Sequence, residues 1–167
     1  FLKNQTSCCY WPKCTSNRFW ANNSNLFDFS KMKQVAVIGP NAQATDFALA
    51  HYGPQAVDVT SVYEGIKKNL EGKCNVVYQK GCELVDKNWP ESEVLQEPLD
   101  QDEKEEIDKA VNMANSSDAV ILVLGGSQRT CGESKSRTSI NLPGRQEELM
   151  QSICKTGKPV VLVLING

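Results

Sequence analysis

The sequence has a single histidine, His51. This residue sits in no recognisable arrangement with the serines, and no G-x-S-x-G elbow occurs, so no catalytic triad is read. Zinc is poorly served too. Of the seven cysteines, Cys8, Cys9 and Cys14 crowd one end, while Cys74, Cys82, Cys131 and Cys154 are scattered. A zinc site wants two spaced pairs, or a pair joined by histidines. The cysteines read as free, mostly buried thiols with room for one disulfide, and they leave the redox compartment open. An excess of charge of one sign is also missing. A formal net charge of -2 gives no reason to expect nucleic acid or an anionic membrane as a partner. Long apolar runs are absent as well, the longest being strand-sized and far short of a membrane span. No positively charged start leads into an apolar stretch and a small-residue cleavage site, so no signal peptide is read. The chain opens on Phe1 rather than Met, and a beginning further upstream is expected.

What remains is ordinary globular material, 40% apolar and 23% charged over 167 residues, enough for one domain with a sizeable core. Residues 1–33 carry no sustained period of 2 or 3.6 and are rich in Asn, Ser and aromatic side chains. They read as an irregular segment, an interdomain-linker remnant or an insertion. From Gln34 the pattern clears. Gln34–Gly39 (QVAVIG) is a β-branched apolar run of the kind buried on both faces of a sheet. A helical stretch around Thr45–His51 is expected next. Ser61–Leu70 places Val62, Ile66 and Leu70 on one helical face, with Ser61 as N-cap and Gly72 just past the end. Asn75–Gln79 is the next strand.

Residues 80–101 read as a long loop, because Pro90 and Pro98 oppose a continuous helix. Asp102–Ser116 is the strongest helix. Its apolar stripe is Ile107, Ala110, Val111 and Ala114, and its acidic first turns suit the positive end of the helix dipole. Asp118–Gly126 (DAVILVLGG) is a buried strand. A helix opening at Pro143-Gly144 runs to about Cys154, and Lys158–Gly167 (KPVVLVLING) is the last strand. Continuous apolar strands alternating with helices predict an α/β fold, a three-layer αβα sandwich over a mostly parallel sheet.

In such sheets sites gather beyond the carboxyl ends of the strands, which singles out two loops. The turn after Gly39 (GPNAQAT) lacks the spaced glycines of a dinucleotide fingerprint and the ending of a P-loop. It reads as a tight turn in which Asn41 caps the next segment of chain. The loop after Gly126 (SQRTCGESKSRTSINLPG) is richer, holding Arg129, Glu133, Lys135 and Arg137. Gly132, directly before Glu133, opens backbone conformations closed to other residues. A carboxylate there can reach over a cleft, with nearby cations holding it ionised or an apolar wall suiting it to donate a proton. On composition alone, such a charged loop is simply a solvated one. His51 reads as a surface residue in a turn, with contact to a ligand or partner domain as the alternative.

The run from Val35 to Gly167 resembles the second domain of glycoside hydrolase family 3, in its β-glucosidase and β-xylosidase-like members. VAVIGPNA (35–42) is similar to the family's opening strand and turn, and DAVILVLGG (118–126) to its central strand. Glu133 through RTSINLPGRQEEL (137–149) is similar to its acidic loop and following helix, and KPVVLVLING (158–167) to its next strand. The resemblance implies a retaining glycosidase acting on β-linked oligosaccharides or aryl glycosides, with no metal or organic cofactor. It implies that Glu133 is the acid/base, that Arg129 and Arg137 position it or bond sugar hydroxyls, and that an N-terminal barrel domain of the parent chain carries the nucleophilic aspartate. It also implies that the sheet is incomplete at the C-terminal end of this chain, and that the chain alone does not turn over glycosides. Ser7–Asn25 departs from the family pattern. The rival readings are a non-catalytic binding module of flavodoxin or Rossmann type, and an inert remnant.

Overall fold

The computed structural model describes residues 28–46 and 58–166. Its elements are β1 (Gln34–Ile38), α1 (Val62–Asn69), β2 (Asn75–Gln79), α2 (Gln101–Asn115), β3 (Ala119–Gly125), α3 (Gln146–Lys155) and β4 (Val160–Ile165). The strands pair in the order β2-β1-β3-β4, and every pairing is parallel. The expected α/β sandwich is therefore present.

Alternation along the two central strands makes the layers. Ala36 and Ile38 of β1, with Val120, Leu122 and Leu124 of β3, point into one core beside Ile107, Ala110 and Ala114 of α2 and Leu149 and Ile153 of α3. Their neighbours Val35, Val37, Ile121 and Val123 form a second core on the opposite face, under Val62, Tyr63 and Ile66 of α1. Strands apolar at every position need cover on both sides, and parallel crossovers supply it. α1 therefore covers one face while α2 and α3 share the other, as right-handed crossovers require when the chain turns back at β2.

Local chemistry sets the helix starts. Ser61 Oγ accepts from the Glu64 amide at 3.2 Å, and the Glu64 carboxylate accepts from the Ser61 amide at 3.1 Å. Ser61 is thus the predicted N-cap of α1, and Glu64 completes a reciprocal box with it. α2 begins one residue earlier than expected, because Asp100 and Glu103 form the same box, at 2.8 and 3.0 Å. The segment between β2 and α2 is the expected loop, interrupted only by a short 3-10 turn at Glu91–Glu93. Phe29–Lys31 forms another such turn. The first 27 residues, with Cys8, Cys9 and Cys14, and most of the expected Thr45–His51 helix lie outside the described residues. Among the described residues, Cys74, Cys82 and Cys131 are free thiols, and only Cys82 is buried, where the sequence reading expected most of them to be. Burial pushes the Cys82 thiol up to about 12, so it behaves as a small apolar side chain. No helix of the described residues is long and apolar enough to cross a membrane.

Candidate active site

Because the chain leaves β1 toward one face of the sheet and β3 toward the other, the carboxyl ends of these neighbouring strands form the switch point at which α/β folds place ligands. Both loops selected from the sequence start there. They are also stitched together. Asn41 is fully buried, and its side-chain nitrogen donates to the Gly126 carbonyl at 2.8 Å. Among the described residues its side-chain oxygen has no hydrogen-bond partner. The expectation that Asn41 caps the next segment is thus corrected. Gly39, at a φ of 129°, turns the chain so close to β3 that a Cβ there would lie 2.0 Å from the Val123 carbonyl oxygen. From that position the Asn41 amide reaches across to the other strand rather than forward along its own. Gln128 adds a second tie, its side-chain amide donating to the Asp46 carbonyl at 2.8 Å.

The exit from β3 is held from the opposite side by Gln146, the first residue of α3. Fully buried, Gln146 accepts from the Gly125 amide at 2.8 Å and donates to the Gly125 carbonyl at 2.8 Å and the Leu84 carbonyl at 2.9 Å. One glutamine amide therefore satisfies both backbone groups of the residue where the strand ends, which would be costly to bury unpaired. Arg145, just before it, pairs with Glu103 at 3.1 Å and Glu148 at 3.5 Å, joining the starts of α3 and α2.

Beyond Gly126 the chain makes a tight turn, with the Ser127 amide donating to Thr130 Oγ1 at 3.0 Å, and then emerges at the rim. Glu133 is exposed there. It sits between two residues with left-handed backbone, Gly132 at a φ of 139° and Ser134 at 61°. Gly132 meets the conformational demand expected of it, whereas Ser134 adopts a conformation uncommon for a residue with a Cβ. The Lys135 amide donates to the Gly132 carbonyl at 3.2 Å, so the glutamate stands at the tip of a closed turn.

The two arginines named with Glu133 have different surroundings. Arg129 is exposed near the start of the loop. Arg137 lies inward, its Nε 2.6 Å from Glu93 and its guanidinium carbon 5.4 Å from the centre of the Trp89 ring. Its Nη2 also donates to the Asn141 carbonyl at 2.8 Å. Glu93 binds Thr138 as well, accepting from its amide at 2.8 Å and from its hydroxyl at 2.9 Å. Burial pushes the Glu93 carboxyl upward, but the Thr138 amide, Arg137 and the Thr138 hydroxyl together hold it below the ordinary carboxylate range. Below this group lies a cleft of about 280 Å³, lined by Glu93, Arg137, Asn141, Glu147 and Glu148 among others. Sequence reasoning does not select Glu93, Thr138 or Gln146 as site residues. Gln146 carries a usable signal, since it follows Leu-Pro-Gly at a helix start, whereas Glu93 sits in a loop without periodicity.

Comparison with known proteins agrees with this architecture. Residues 21–167 match the model of the glycosyl hydrolase family 3 C-terminal domain. A β-xylosidase of Formosa agariphila is 40% identical over 154 residues, covering 87% of this chain and 19% of its own length. A probable β-D-xylosidase of Arabidopsis thaliana is 35% identical over 150 residues, covering 87% of this chain and 17% of its own length. Among solved structures, a β-glucosidase involved in saponin metabolism from intestinal bacteria superposes with a TM-score of 0.66 at 25% identity, covering 85% of this chain and 22% of that one. The chain thus spans about a fifth of the length of the relatives it matches.

Proposed function

This chain belongs to the C-terminal domain family of glycosyl hydrolase family 3, and from that membership we propose that it is the acid/base-bearing part of a retaining β-glucosidase or β-xylosidase. Glu133 protonates the departing glycosidic oxygen and then deprotonates the water that releases the sugar. The nucleophilic aspartate belongs to a barrel domain outside this sequence. Such chemistry uses two carboxyl groups about 5 Å apart on either side of the scissile bond. One loop cannot supply both, so the domain by itself does not turn over glycosides.

The observation that carries this reading is the placement of Glu133, an exposed carboxylate on a closed turn beyond the carboxyl edge of the sheet. The returning limb of its loop and the Glu93 segment bound to it support a facing domain. Val94 and Leu95, next to Glu93, are 71% and 78% exposed, and Ile140 is fully exposed. Large apolar side chains left open beside a candidate site suit burial against a partner surface. Arg129 and Arg137 remain the candidates for helping Glu133 or the sugar, with Arg129 the more available of the two. Segment 1–33 then serves as a remnant of the interdomain linker or as an insertion, and 34–167 as the sandwich.

The test is Glu133→Ala in the full-length protein. Activity on aryl β-glycosides with poor leaving groups should fall by about 100- to 10,000-fold. Substrates with activated leaving groups should retain more, and azide should restore turnover. Equal loss on every substrate, with no response to azide, would remove Glu133 from the chemistry.

A further inference from the structure

A proton donor at the tip of a loop is useful only if both limbs of the loop are held. The limb leaving β3 is anchored by buried Thr130, Gly125 and Gln146. The returning limb, from Arg137 to Pro143, belongs to neither sheet nor helix. Its fastening comes from Glu93, whose side chain is only 6% exposed. One Glu93 oxygen takes Arg137 Nε, and the other takes both the amide and the hydroxyl of Thr138. Charge-assisted bonds of this kind, made by a carboxylate shielded from water, are stronger than neutral ones. Arg137 then carries the restraint onward to Trp89 and to the Asn141 carbonyl.

We infer that Glu93 is a positioning residue for the Glu133 loop: by gripping consecutive residues of the returning limb it sets where the Glu133 carboxyl stands over the sugar. The inference rests on the reading of Glu133 given above. Arg137 is four residues along the chain from Glu133, with one closed turn and Ser136 between them. Releasing the grip removes the charged fastening nearest the tip on the returning side, and leaves that limb to the packing of Leu142 against the core and to the Arg137 contact with Trp89. A general acid must lie within hydrogen-bond reach of the oxygen it protonates, and displacement of a reacting group by about 1 Å costs about 100-fold in rate. A clamp of this kind acts chiefly on proton delivery, because Arg137, the candidate for sugar contact that it also holds, keeps its contacts with Trp89 and the Asn141 carbonyl.

The experiment uses the full-length protein with Glu93→Gln, Glu93→Asp and Thr138→Val, beside Glu133→Ala. The probes are a pair of aryl β-glycosides, one with a poor and one with an activated leaving group. Glu93→Gln should lower kcat about 100-fold on the poor leaving group, far less on the activated one, with KM nearly unchanged. Glu93→Asp should recover part of the loss. Hydrogen exchange of amides 134–141 should quicken in Glu93→Gln, while the strands stay protected. Should Glu93→Gln not fold, Thr138→Val must show the same leaving-group split at smaller size. Loss confined to KM, equal loss on both substrates, or wild-type kcat in every Glu93 and Thr138 variant that folds overturns the proposal. Glu133→Ala separates the two ideas. If it shows the leaving-group split and azide rescue while the Glu93 and Thr138 variants do not, only the clamp is lost. If it shows neither, the reading of Glu133 falls and takes the clamp with it.

Discussion

Every residue of β3 is buried, whereas Cys131 through Ser136, on the loop that this strand feeds, are all exposed. The strand is held by apolar packing on two faces and by ladders to β1 and β4. The loop is held by a few polar contacts, some closing its own turns and the rest made to residues distant in sequence. The difference shows how the domain divides its work. Packing makes a rigid platform and costs the buried residues their access to solvent. A carboxylate that must exchange protons with a sugar and with water has to leave that platform, and so depends on a few well-placed hydrogen bonds.

That division can be broken or sharpened by experiment. The largest effect belongs to Glu133→Ala, whose loss of about 100- to 10,000-fold on poor leaving groups should come with an unchanged thermal midpoint, because the side chain is exposed. A fall in the midpoint would place Glu133 among the platform residues. Leu149→Ala is the converse. Leu149 is fully buried against both the sheet and α2, and its truncation should destabilise the domain by about 2–5 kcal/mol in urea unfolding. The folded fraction should keep its leaving-group behaviour. Gln146→Leu tests the seam between the regions. It leaves the Gly125 amide and carbonyl and the Leu84 carbonyl without their partner, and should cost about 1–3 kcal/mol. Faster hydrogen exchange at 125–131 should accompany it, and unchanged exchange there would deny that Gln146 holds the strand end.

The smallest expected effect is on acid stability. Glu93 is held below its ordinary value, and so is Asp118, chiefly by the Gln34 and then the Lys33 amide. A carboxyl whose folded pKa is depressed stabilises the fold above its unfolded pKa and loses that contribution as pH falls through the folded value. Stability should therefore decline below about pH 4, and Glu93→Gln should make the decline shallower. An identical acid profile in that variant would show that the Glu93 carboxylate does not lose its partners on acidification.

Much of the architecture is readable in advance because it is written in short-range patterns. The runs at Gln34–Gly39 and Asp118–Gly126 are apolar at nearly every position, which only a strand covered on both faces accommodates. Ser61 and Glu64 are three residues apart, the spacing at which a helix start satisfies its own amides. The prominence of Glu133 is legible for a similar reason, since Gly132 beside a charge cluster marks an unusual backbone. The clamp is not. Glu93 and Arg137 are separated by 44 residues, each resembles any other surface charge in its own window, and nothing local distinguishes a solvated glutamate from one that grips a loop. Asn41 misleads for the same cause, because a polar residue after a turn reads as a local cap until the neighbouring strand is in place.

By itself, then, the sequence determined which of the described segments become strands and helices, that the sheet is parallel and covered on both faces, and that a glutamate directly after a glycine follows the central strand. Only the tertiary structure decided that Asn41 joins the ends of β1 and β3, that Gln146 seals Gly125, and that Glu93 holds the returning limb of the loop. The reason is one of range. Periodicity and capping are satisfied within a turn or two of chain, whereas a lone buried polar group finds its partner only when distant segments are brought together, and any of several partners would serve equally well until packing chooses one.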